Sequence, residues 1–351
     1  GGWKLVSLRE LDNYYQLEEI VAKHNQPQNN KESIPLQLIN AIENYDSKKV
    51  NNLIDSGLDV NKKYVDKKTA LMAAAKWGNS KIIKVLLGAG AEVNSQDKYG
   101  NTALMVAVKQ GDPEMIKVLL DAGANSKVKN DFEETALSKA AEWGNCEAIQ
   151  MLLDAGADIN SQDDAGYSAL YYAVIYKRTK AAKILLAKGA NLNLKDIAGE
   201  TPFYEAVDNQ DKELINLLLA SGAKVNDINK DGETPLMYLI NEKDKPDEEI
   251  IRLLANNTYD LETPLLVAKE KQANNIVKIL LDEGANVNIR EEQGNPLILG
   301  ALYDENFALV YILLEAGADI NIENKYGNNI LREAAEEGYT ELVEVLIKRD
   351  S

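Results

Sequence analysis

The stretch Thr102-Ala-Leu-Met-Val-Ala107-Val-Lys-Gln-Gly111-Asp-Pro-Glu-Met-Ile116-Lys-Val-Leu-Leu120-Asp-Ala-Gly123-Ala124 holds two short helical patterns in succession. Thr102 offers an N-cap hydroxyl ahead of the first run. Ala107 is small where a neighbouring helix must approach closely, and Gly111 ends the run. The second run carries Ile116, Leu119 and Leu120 at helical spacing, with Lys117 pointing outwards. Gly123 then supplies a left-handed cap.

Working outwards, the same pattern recurs with a constant step of 33 residues. Gly-Ala pairs stand at Gly90, Gly123, Gly156, Gly189 and Gly222, and again 33 apart at Gly284 and Gly317. Thr69, Thr102, Thr135, Ser168, Thr201 and Thr234 keep the same step. Each is followed by Ala or Pro and then by Leu or Phe, and Pro202 and Pro235 suit the first position of a helix. Between units run stretches such as Val93-Asn94-Ser-Gln-Asp97-Lys-Tyr-Gly100, which read as β-turn fingers. A repeat of this length signals a solenoid.

At these residues the chain resembles the ankyrin-repeat family, whose motif is a Thr-Pro-Leu-His-x-Ala start, a Leu-Leu helix and a Gly-Ala-x-x-Asn exit. The resemblance covers about nine tenths of the chain, from near Ser33 to the end. It implies an all-α repeat solenoid of stacked helix-turn-helix units with β-turn fingers. Ten units are expected, with first helices starting near Ser33, Thr69, Thr102, Thr135, Ser168, Thr201, Thr234, Thr263, Asn295 and Asn329. The family's His is replaced throughout by Met72, Met105, Ser138, Tyr171, Tyr204 and Met237. Stacked at about 10 Å per layer, such units make a curved rod of roughly 100 Å.

The chain divides into residues 1–32 and a repeat domain over 33–351, with an irregular unit at 234–262. In that unit the step falls to 29, the turn between its helices lengthens (Asn241 to Asp247) and the finger shrinks to Asn256-Asn-Thr-Tyr-Asp260. A soft junction and a change of curvature are expected there. Residues 7–24 open with a capping box and continue as an amphipathic helix with Leu8, Leu11, Tyr15 and Leu17, read as a cap on the first unit. The polar end Lys348–Ser351 suits the opposite cap. The opening Gly-Gly-Trp, without Met, reads as an expression scar or a removed leader.

Composition narrows the chemistry. Of 351 residues, 45% are hydrophobic and 27% charged, as in a folded protein. The net charge of −17 argues against nucleic acid as the main partner, and no apolar run is long enough for a membrane span. One cysteine, Cys146, and one histidine, His24, leave no triad and no transition-metal set, and no cofactor is expected. Cys146 reads as a packing residue in the turn Gly144-Asn-Cys-Glu. Asp227-Ile-Asn229-Lys-Asp231-Gly232 begins like a calcium loop, but Tyr238 stands where the twelfth ligand should be a Glu. It reads as a finger.

What remains is the surface. In ankyrin-like arrays the fingers and the exposed ends of the first helices line the concave side, and the register puts Lys76, Trp77, Lys109, Trp143, Ile175 and Tyr176 at the helix ends. The same register extends to Leu302–Tyr303. Tyr99, Phe132 and Tyr167 stand on the fingers. These nine are the candidate partner-binding residues, since aromatic residues dominate interface hot spots. The leading function is a non-enzymatic protein-binding scaffold, adaptor or inhibitor. A regulatory or targeting fragment of a larger protein, including a secreted effector, stays open, with a carboxylate-based hydrolase as a remote third. The expected partner is a protein or extended peptide, with no nucleic acid and no membrane, bound by a monomer. Up to Ile175 there are 19 basic and 24 acidic residues, and beyond it 20 and 32, so the C-terminal units favour a basic partner. The cytoplasm is the favoured compartment, with the periplasm or secretion following if a leader was removed.

Overall fold

The computed structural model describes residues 34–350, so the expected cap over 7–24, its linker and His24 lie outside the described residues. Among the described residues, twenty α-helices form ten consecutive pairs. The first, inner helices are Ile34–Glu43, Ala70–Lys76, Ala103–Gln110, Ala136–Trp143, Ala169–Ile175, Pro202–Asp208, Pro235–Glu242, Glu262–Glu270, Leu297–Tyr303 and Ile330–Glu336. The outer helices are Ser47–Asp55, Ser80–Gly88, Pro113–Asp121, Cys146–Asp154, Thr179–Ala187, Lys212–Ala220, Glu248–Ala255, Asn274–Asp282, Phe307–Glu315 and Thr340–Asp350. Extended structure among these residues is limited to two isolated antiparallel bridges, Gln162 with Ser168 and Arg290 with Pro296.

The caps follow the repeat. Thr69, Thr102, Thr135, Ser168, Thr234 and Asn329 each accept a hydrogen bond from the backbone N–H three residues on. Thr201 occupies the cap without that bond, ahead of Pro202. Two expected starts move. The eighth inner helix begins at Glu262 rather than after Thr263, because Asp260 accepts from the N–H groups of both Glu262 and Thr263. In the ninth unit Pro296, not Asn295, takes the place of the threonine.

Packing explains the small residues. Ala74, Ala107, Ala140, Ala173, Ala206, Ala268, Ala301 and Ala334 are fully buried, where successive inner helices meet. Across most junctions successive inner helices pack on each other more extensively than successive outer ones do. Most outer helices add a buried apolar stripe, such as Ile82, Ile83 and Leu86. Burying each such side chain stabilises by about 1.5–3 kcal/mol.

Units are tied together at two further levels. Asn61 donates to the Gly90 carbonyl and accepts from Glu92 N–H, and Asn94 does the same for Gly123 and Asn125. The exit asparagine thus holds the turn of the next unit. At the fingers, backbone bonds run from Lys98 to Asp66, Asp131 to Tyr99, Asp164 to Phe132, Ile197 to Ala165 and Lys230 to Ala198.

The irregular unit interrupts this ladder. Its inner helix ends at Lys243 in an extended conformation (φ −107°), where most units turn through a left-handed residue. Its longer turn reaches back instead. Asp247 N–H donates to Gln210, Lys212 pairs with Asp247 and Glu249, and Lys243 lies 2.8 Å from Asp208. Towards the next unit, Arg252 and Asn256 both reach Glu283.

Candidate interaction surface

The ends of the inner helices form a row, because each unit repeats the same turn one layer further on. Trp77 and Trp143 stand at equivalent places in units two and four, each with 39% of its surface exposed. Gln110 lies between them in unit three. Tyr176 follows in unit five, half-buried, its ring parallel to that of Tyr172 at 6.4 Å between centroids. Ile175 is half-buried beside it. Lys76 Nζ lies 5.4 Å from the Trp77 ring centroid, and Lys109 Nζ reaches across from unit three to 4.9 Å from the Trp143 ring. An ammonium over an indole face is attracted by the ring quadrupole.

The finger residues divide. Tyr99 is half-buried, with Lys98 Nζ 4.7 Å from its ring centroid, and Phe132 is half-buried on the next finger. Tyr167 packs inwards: its ring stacks on Tyr171 at 4.5 Å and meets Tyr172 edge-on at 5.9 Å. Burial first, and then Asp196, push its hydroxyl up to about 12. One exposed ring beside the row was missed by sequence reasoning. Tyr45 stands 33 residues before Gly78, is 57% exposed, and donates its hydroxyl to the Trp77 carbonyl. The register gave no signal for it, since the row's own place in unit one is Asn44 and Tyr45 takes the left-handed turn position that Gly78 holds in the next unit. At the other end the expected pair is off by one: Glu305 is the left-handed turn residue, 33 after Gln272, so Tyr303 and Asp304, not Leu302 and Tyr303, match Lys76 and Trp77.

Beneath the fingers lies a polar layer that the spacing did not reveal. Lys139 sits between Glu134 at 2.7 Å and Glu142 at 3.2 Å. Burial opposes its charge, but the two carboxylates outweigh burial and hold its pKa above the ordinary lysine value. Tyr172 donates to Asp163 at 2.6 Å, and Tyr171 to Asp196 at 3.2 Å. Further along, Glu205 is pushed up to about 7, chiefly by burial and then by Asp208, with Glu200 and Asp196 adding to it, while Asn209 donates to it and opposes the rise. Burial also raises Glu200.

These carboxyls line neither of two surface cavities. The larger, about 400 Å³, lies between outer helices at Lys183, Leu186, Leu217 and neighbours, and the smaller, about 180 Å³, near Tyr303 and Glu333. The calcium-like loop is a finger: Asn229 spends its side-chain oxygen on the N–H groups of Asp231 and Glu233. Cys146 is half-buried at the first position of its outer helix, just after the Asn145 cap. Among the described residues no helix is long and apolar enough to cross a membrane, and no group of three or more His, Cys, Asp or Glu is arranged to hold a metal ion.

Comparison with known proteins agrees with this architecture. The family model of ankyrin repeats matches residues 38–130, 123–196, 203–291 and 265–351. Among solved structures, the human ASB11 ankyrin repeat domain is 28% identical, with a TM-score of 0.53, covering 57% of this chain and 89% of that one. The ankyrin repeat domain of Bcl-3, described as a unique member of the IkappaB protein family, is 26% identical with a TM-score of 0.57, covering 64% of this chain and 99% of that one. No curated protein sequence matches the chain.

Proposed function

The chain belongs to the ankyrin-repeat family, whose repeats are generally protein-interaction scaffolds, and from this premise we propose that it is a non-enzymatic adaptor or inhibitor gripping a protein or extended peptide on its inner face. The observation that carries the reading is the pair Trp77 and Trp143. Two large rings stand exposed at matching places two layers apart, with a lysine ammonium over each. Rings of this size, desolvated by a partner inside a polar rim, typically supply a few kcal/mol. The acidity of the C-terminal half favours a partner with a basic side facing it, whose on-rate falls as salt rises.

The test is Trp143→Ala. Binding of the main partner weakens at least tenfold, about 1.4 kcal/mol, while the thermal melt stays where it was. Unchanged binding with a lowered melting point would mean that the ring only covers its own helix pair.

A further inference from the structure

We infer that the aromatic row on units two to five seats one short extended segment of a protein partner, and that this segment is apolar and acidic. The inference rests on the scaffold reading above and specifies the chemistry of the anchor. The apolar requirement comes from the rings: Trp77 and Trp143 are exposed and Tyr176 is half-buried, on units two, four and five.

The acidic requirement comes from the cations among those rings. Lys109 reaches over Trp143, and the Arg178 chain lies against Gly144, where an added Cβ would meet Arg178 Cδ at 2.9 Å. Arg178 Nε donates to the Glu142 carbonyl. Among the described residues, neither Lys109 nor Arg178 is ion-paired with a carboxylate, whereas the nearby Glu134 and Glu142 are both held by Lys139. A purely apolar segment laid on the rings would cover these cations without a counter-charge, and a basic one would repel them. Carboxylates beside apolar side chains meet both needs.

The charge distribution sets where such a segment can sit. Residues 34–143 carry 15 basic and 14 acidic side chains, while residues 144–351 carry 20 and 37. All the net negative charge of the described stack therefore lies beyond Trp143, and an acidic segment is repelled from there towards the row. From unit two to unit five is three layers, roughly 30 Å, which about nine extended residues span.

The test selects a displayed library of random nine-residue peptides against the full chain. Fluorescence anisotropy then compares the selected peptides on the parent, Lys109→Glu and Trp143→Ala proteins, with thermal melts alongside. Selected sequences should combine Asp or Glu with Leu, Phe or Trp. Replacing their acids by Asn and Gln should weaken binding at least tenfold, and Lys109→Glu should do the same without lowering the melt. Enrichment of basic or neutral peptides, acidic peptides indifferent to Lys109→Glu, or no enrichment overturns the inference. Non-acidic binders that are lost on Trp143→Ala would leave the scaffold reading standing; binders of any kind that keep full affinity for Trp143→Ala would overturn that reading as well.

Discussion

Ionised Glu205 is a built-in cost to this fold, and replacing it by glutamine should stabilise the protein in a pH-dependent way. The carboxyl sits on the sixth inner helix, Pro202–Asp208, where burial and the charges of Asp208, Glu200 and Asp196 raise its pKa from 4.5 to about 7. The folded state thus holds this proton more tightly than the unfolded chain. The penalty is absent below the unfolded pKa, grows as pH climbs towards the folded value, and is complete above it. At about 1.4 kcal/mol per pKa unit, ionisation at pH 8 costs on the order of 3 kcal/mol. Glu205→Gln removes the charge and keeps an acceptor for Asn209, which donates to Glu205 at 2.7 Å. Because repeat arrays can open unit by unit, local stability is the quantity to read. Hydrogen exchange of the amides of the sixth inner helix should slow on the order of 100-fold in the variant at pH 8 and hardly change near pH 4.5. An NMR titration of the Glu205 carboxyl gives the direct check. A midpoint near 4.5, or a variant no more stable than its parent at pH 8, would refute the reasoning.

Two further outcomes follow from the backbone. Because the finger ladder stops at Lys230, residues 256–261 should exchange amide hydrogens faster than the equivalent fingers of units three to six; uniform protection across 250–265 would contradict a soft junction. Gln272 and Glu305 turn through left-handed conformations (φ 54° and 53°) that four other units assign to glycine. Replacing each by Gly removes a steric cost of about 1 kcal/mol, partly offset by the greater freedom of glycine in the unfolded chain. The double variant should gain roughly 0.5–1 kcal/mol in denaturant unfolding, and a loss of stability would show that those side chains pack.

The family and the helix pairs were legible because their determinants are local. A Thr at 102 caps its helix through Met105 three residues on, and Gly111 turns it through its own left-handed φ, so linear spacing carries the information. Trp77 and Trp143 were legible for the same reason: a 33-residue register places equivalent residues on one face in every layer. The displaced start at Glu262 was not, since Asp260 outcompeted the more family-like Thr263 for the cap. Tertiary structure alone decided the pairings between layers. Lys109 covers a ring in the next unit, Asn61 holds a turn about 30 residues on, and Lys243 reaches back to Asp208. The environment of Glu205 is of this kind too, with acids from its own helix and from the finger before it converging on one buried carboxyl. Such contacts depend on how closely two layers approach and which way each side chain leans. The sequence states which residues each layer carries; only stacking brings them within reach of one another.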